Sequence, residues 1–202
     1  MLARPSIEVA PLLLGAVLHG RGASLRITEV EAYLGEQDPG SHAFRGPTPR
    51  TRIMYGPAGH LYVYFTYGMH VCANIVCGPE GVAMAVLLRA GEVIDGLDVA
   101  RDRRVTSRSD ADLARGPARL CVALGITLAD NGTRLATGST TSDEFRLELP
   151  QHPVPFETGP RTGVSGDGGT TAYPWRFWIP GDRSVSPYKA SVPKKRSTRV
   201  TP

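Results

Sequence analysis

The apolar and polar positions divide the chain into short elements joined by Gly- and Pro-rich turns. Residues 6–18 carry an apolar run that predicts a short helix capped by Ser6. Residues 24–34, SLRITEVEAYL, alternate and predict a strand, with Leu25, Ile27, Glu29, Glu31 and Tyr33 on one face. Residues 35–59 form a long loop rich in Gly, Pro and Arg, and loops of that length in a compact domain are usually functional or disordered. The runs HLYVYFTY (60–67) and HVCANIVC (70–77) flank Gly68-Met69, which predicts a hairpin closed by a two-residue type II′ turn. In that register Tyr67 opposes His70 and Tyr64 opposes Ala73. Residues 82–89, VAMAVLLR, predict a third strand, and their nearly continuous apolar character predicts burial on both faces.

Further along, residues 93–104 predict a helix ending in Arg101, Arg103 and Arg104, and Pro117 to Leu124 a helix stopped by Gly125. Residues 129–145 read as polar loop, with short strands near 145–149 and 175–179. From Pro187 onward no hydrophobic pattern survives, which predicts disorder. The fold class is mixed α/β (α+β), a single domain built on a mainly antiparallel sheet.

Composition narrows this further. A chain of 202 residues, 41% of them hydrophobic, can bury a core without disulfide staples. The three cysteines (Cys72, Cys77, Cys121) show no C-x-x-C spacing, so neither a disulfide framework nor a metal site is indicated and the chain reads as a reduced, cytoplasmic protein without a cofactor. The apolar run from Val9 to Leu18 is too short to span a membrane and unlike a signal peptide. The net charge of +4 hints at an anionic partner. The hint belongs to the end of the chain: five basic residues follow Pro187 with no acid, so the first 186 residues carry −1. We accordingly divide the chain into a domain, 1–188, and a basic tail, 189–202.

Candidate chemistry gathers in the central segments. Glu31 and Tyr33 share a strand face on the way into the long loop, as a base beside a ring platform or as a solvated edge pair. Tyr62, Tyr64 and Tyr67 crowd one hairpin strand, opposite His70 and Asn74 on the other. Aromatics in a cleft can stack a base pulled from its helix, and an exposed ring on a stiff hairpin tip can wedge between base pairs. Tyrosine is also simply a good strand former. Arg89 ends an apolar run and needs a carboxylate partner if buried, for which Glu31 is a candidate; otherwise it reaches water. His42, Arg45, Arg50 and Arg52 lie on a loop segment with no acids between them, suited to phosphate or simply solvated, and the start of the Pro117 helix, with Arg115 and Arg119 beside it, is a ready anion site. No P-loop, H-E-x-x-H or G-x-S-x-G pattern is present.

The blocks TEVEAYLGEQDPGSHAFRGPTPR and GHLYVYFTYGMHVCANIVCGPEGVAMAVLLRAGEVIDG, followed by ARGPARLCVALGI and PRTGVSGDGG…PWRFWIPG, resemble the alkyladenine (3-methyladenine) DNA glycosylases over residues 6–188. The resemblance implies excision of alkylated or deaminated purines from duplex DNA by a monomeric base-excision-repair enzyme, on a curved antiparallel sheet whose hairpin enters the minor groove. It implies Glu31 as the general base that polarises water and Arg89 as its helper. It implies Tyr33 and Tyr64 as the rings that sandwich the flipped base, with His42 completing the pocket and Asn74 disfavouring the amine of normal guanine. Tyr67 matches the residue that fills the gap in the duplex. Met69 and His70, with Arg45, Arg50, Arg52, Arg115 and Arg119, are candidate contacts to the DNA backbone. Residues 1–188 contain no Lys, so no side-chain amine is available there for a Schiff base and a monofunctional enzyme is expected. The rival reading is a non-catalytic module that binds DNA or RNA on the same fold.

Overall fold

The computed structural model describes residues 1–66, 68–137 and 144–191; Tyr67 and most of the basic tail lie outside them. The elements are α1 (Ser6–Leu13), β1 (Val17–Gly20), β2 (Ala23–Tyr33), β3 (Leu61–Thr66), β4 (His70–Val76), β5 (Ala85–Asp95), α2 (Leu97–Arg103), α3 (Pro117–Leu124), β6 (Ala136–Thr137), β7 (Phe145–Glu148), β8 (Glu157–Gly159) and β9 (Arg176–Trp178). The strands join in the order β3-β4-β5-β2-β1-β7-β6, with β9 pairing β2 and β8; all pairs are antiparallel except β6 with β7. The result is a single mixed α/β domain with a curled, mainly antiparallel half-barrel sheet.

One face of the sheet packs on the helices. Leu13 of α1 and Leu120, Cys121 and Leu124 of α3 join Leu25, Val30, Leu61, Ile75 and Leu88 in one buried cluster. The other face carries a smaller cluster, Ala43, Met54, Tyr62, Val76, Ala83 and Ala85, beneath the loop that follows β2.

Three expectations are corrected. The first helix stops at Leu13, and Ser6 does not cap it: its hydroxyl donates to the carbonyl of Tyr33 at 2.9 Å. The chain turns at Gly15 (φ +79°), and Val17–Gly20 becomes a strand because β2 and β7 pair with it on either side. Residues 93–95 belong to β5, so α2 begins only at Leu97.

The hairpin register is also shifted by one. Thr66 faces His70, Tyr64 faces Cys72 and Tyr62 faces Asn74. Alternation decides this: Leu61, Val63, Ala73 and Ile75 must share the core face, and a one-residue slip would turn them outward. Tyr62, Tyr64, Cys72 and Asn74 then share the opposite face.

The β2–β5 pairing shifts register three times, and two of the shifts flank Glu29. Ile27 pairs with Gly91 and Glu29 with Ala90, which leaves Thr28 as an extra residue; Val30 then pairs with Leu88, which leaves Arg89 extra on β5. Leu25 and Ile27 therefore lie in the core with Val30 and Ala32, whereas Glu29 and Glu31 leave it. Bulges curl a sheet and re-aim side chains, and here the extra Thr28 turns Glu29 and Glu31 out of the core face.

Candidate active site

A cavity of about 490 Å³ opens on the face opposite the main core. Glu31, Tyr33, His42, Tyr64, Asn74, Arg89, His70, Arg115 and Arg119 line it, so the structure brings together most of the residues singled out above. Arg45, Arg52 and Met69 are exposed and outside the lining; the Arg50 guanidinium lies 5.1 Å over the Tyr64 ring. Arg119 is not a free cation, since it pairs with Asp112.

Glu31 is fully buried. Its Oε2 accepts from the Tyr33 hydroxyl at 2.9 Å and its Oε1 from the N–H of Thr162 at 2.7 Å. Arg89 Nη1 lies 3.3 Å from the same Oε1. The carboxylate suspected as the arginine's partner is thus a real one, but a second was missed. Arg89 Nε donates to Glu29 Oε1 at 2.8 Å, and Arg176 Nε donates to that same oxygen at 2.6 Å. The N–H of Ser186 reaches Glu29 Oε2 at 2.7 Å. Burial alone would raise the Glu29 carboxyl, but Arg89, Arg176 and Ser186 outweigh it and hold its pKa below the usual value. Burial works against the charge on Arg89, and Glu31 and Glu29 overcome it.

Tyr33 owes its position to another buried ion pair. Arg161 is wholly buried, pairs with both oxygens of Asp38 at 2.5 and 2.6 Å, and lies 4.5 Å from the Tyr33 ring centroid and 5.2 Å from that of Trp175. Asp38 also accepts from the N–H groups of Leu34 and Gly40, which fixes the start of the long loop. Burial, then the charge of Glu31, raises the Tyr33 phenol well above its ordinary pKa, so it remains a donor.

The same loop delivers His42. Its Nδ1 is 3.1 Å from the Tyr62 hydroxyl, and its ring meets the Tyr64 ring edge-on at 4.6 Å. Its backbone N–H makes no hydrogen bond among the described residues. Desolvation against these rings, then the Arg50 charge, lowers the imidazole pKa to about 4, so it is neutral near pH 7. Asn74 donates through Nδ2 to the Tyr62 carbonyl at 3.0 Å, which sets the orientation of its amide. Burial raises the Cys72 pKa, leaving a neutral thiol rather than a nucleophile.

Glu29, Arg161, Arg176, Thr162 and Ser186 escaped the sequence reading. A signal for the first three was present: two glutamates two residues apart on a strand flanked by apolar positions demand buried cations. Among the described residues no group of three His, Cys, Asp or Glu side chains is placed to hold a metal, and no helix is long and apolar enough to cross a membrane.

The site is thus an aromatic-walled cavity with a buried carboxylate and a paired arginine at its wall. A sequence model of the methylpurine-DNA glycosylase family matches residues 1–183. A protein of Leifsonia xyli is 59% identical over 91% of this chain and 88% of its own length. One from Streptomyces avermitilis is 54% identical over 97% and 93%, and one from Cutibacterium acnes 50% identical over 92% and 96%. All three bear the provisional name 3-methyladenine DNA glycosylase. The chain belongs to the methylpurine-DNA glycosylase family, enzymes of alkylated-base repair that cleave N-glycosyl bonds.

Proposed function

We propose that this chain is a monomeric, monofunctional glycosylase that flips alkylated or deaminated purines out of duplex DNA and hydrolyses the N-glycosidic bond with water activated by Glu31. The observation that carries the proposal is the setting of Glu31. It is a buried carboxylate at the wall of an aromatic cavity, held by one phenol, one amide and one shared guanidinium. In the reaction, Glu31 takes a proton from water as the water oxygen bonds to C1′ of the sugar. The electrons of the C1′–N bond leave with the purine, and an abasic site remains. The carboxylate also stabilises the positive charge that builds on the sugar. Arg89 positions it.

The base stacks between Tyr33 on one side and Tyr64 and His42 on the other. A purine alkylated at N3 or N7 is cationic, and aromatic faces attract it by roughly 0.5–2 kcal/mol. A neutral His42 adds no opposing charge, and its free N–H is available to the edge of the base. Asn74 disfavours the amine of guanine. Tyr67 takes the place of the lost base, and Met69, His70, Arg45, Arg50, Arg52, Arg115 and Arg119 meet the phosphates of a duplex held in the cytoplasm. Residues 1–188 form the catalytic domain, and the basic tail from 189 adds salt-sensitive attraction to the backbone.

Absence of Lys before position 189 argues against a Schiff base. The carbonyl of Lys189 accepts from the N–H of Gly163 at the cavity wall, so this lysine passes close by, yet it does not line the cavity. The test is base release from four duplexes, each carrying one 3-methyladenine, 7-methylguanine, hypoxanthine or ethenoadenine, with borohydride present. We expect free base and an intact abasic strand. A covalent adduct would refute the monofunctional reading, and binding without release would favour the non-catalytic module.

A further inference from the structure

Residues 184–189 do not line the cavity but hydrogen-bond to three residues that do, Arg115, Arg89 and Gly163. The carbonyl of Val185 accepts from Arg115 Nε at 2.8 Å. Ser186, 6% exposed, commits all of its polar groups. Its N–H donates to Glu29 Oε2 at 2.7 Å, its Oγ accepts from Arg89 Nη2 at 3.1 Å, and its carbonyl accepts from Arg176 Nη2 at 2.8 Å. The Lys189 carbonyl accepts from the N–H of Gly163 at 2.9 Å, next to the Thr162 N–H that holds Glu31. The segment is anchored at its start, where Ser184 Oγ meets Thr28 Oγ1 at 2.8 Å, on the bulge of β2. Residues 184–189 themselves lie past residue 183, where the family match ends.

We propose that residues 184–189 form a strap that aims the arginine beside the catalytic carboxylate, and that Ser186 is its positioning residue. The inference rests on the reading of Glu31 as the base. A guanidinium is planar and rigid. In Arg89, Nε is held by Glu29 and Nη2 by Ser186, and these two points determine where Nη1 sits opposite Glu31. The Nη1 contact is the longest of the three at 3.3 Å, so it does not fix the plane by itself. Without the Ser186 hydroxyl the plane can turn about the remaining Nε bond, and Nη1 drifts from Glu31. The bracing is two-sided, because the far end of the strap holds the loop that carries Thr162 and Gly163.

The experiment is single-turnover base release by the full chain carrying Ser186→Ala, on whichever of the four lesion duplexes the unsubstituted protein cuts fastest. Ser186→Cys, nearly isosteric and a poor acceptor, takes its place if the alanine variant fails to fold. The strap predicts a rate constant lower by roughly 10-fold, since small misplacements near reacting groups cost up to about 10²-fold. Affinity for the damaged duplex stays within about twofold. A merely structural Ser186 would lower the thermal midpoint and the amplitude of release while leaving the rate constant unchanged, and that result overturns the proposal. Glu31→Gln, run in parallel, separates the two levels. If it retains the full rate, the reading of Glu31 fails; if it is inactive while Ser186→Ala runs at full rate, only the strap fails.

Discussion

Glu29 and Glu31 stand two residues apart on one strand, both fully buried, yet they are differently held. Glu29 is saturated by two arginines and an amide and does not line the cavity, whereas Glu31 shares one arginine at 3.3 Å and lines it. A carboxylate tied down by short charged contacts is a poor base, which is why the proposed mechanism assigns the chemistry to Glu31 rather than to Glu29. Residue patterns and family resemblance point to Glu31, Tyr33, Tyr64 and Asn74. They do not show how one arginine is divided between two carboxylates, because that depends on bulges at Thr28 and Arg89 that a strict alternation of period two does not contain. His42 supplies a test at this scale. Its folded pKa, about 4, lies below the ordinary 6.5, so the unfolded chain binds the proton first. Its contribution to stability is therefore present above pH 6.5 and lost as pH falls toward 4. In urea unfolding across that window, His42→Gln should lose less stability than the unsubstituted protein; equal losses would show that the imidazole is not held neutral.

Among the elements, the most legible were those whose ends carry their own chemistry. Helix α3, with Pro117 first and Gly125 in the left-handed conformation after it, has the expected limits. The hairpin was legible as a hairpin but not in its register, because turn residues argue for one loop length and core burial for another, and burial of Leu61, Val63, Ala73 and Ile75 wins. The end of α1 was not legible, since pairing with two strands from elsewhere in the chain overrides a helical run. The loop after β2 shows how an element without regular structure is made rigid. Asp38 ties its backbone, and Arg161 ties Asp38 beneath the Tyr33 ring. Arg161→Met would leave the buried Asp38 carboxylate unpaired, which costs about 3–5 kcal/mol. We expect a loss of that size in urea unfolding, together with slower base release as Tyr33 loosens. A loss below about 0.5 kcal/mol, ordinary for a surface site, would mean that Asp38 is not a buried charge.

For the whole molecule, the charge is informative mainly through where it lies. The first 186 residues are slightly acidic in sum, and their arginines are largely occupied. Arg89, Arg161 and Arg176 are buried in ion pairs, Arg21 and Arg26 are paired at the surface, and Arg119 is paired with Asp112. Arg45 and Arg52 on the loop beside the cavity remain exposed. The fold thus spends its cations on holding carboxylates inside and keeps a few beside the cavity mouth. The account then comes down to whether Glu31, the buried carboxylate that lines the cavity among the described residues, performs the chemistry. The most direct measurement is single-turnover release of a damaged purine from duplex DNA by Glu31→Gln, with affinity measured on the same duplex. The account predicts affinity within a few-fold of the unsubstituted protein and a rate constant lower by at least ~10², the usual contribution of a general base. An unchanged rate constant would contradict it.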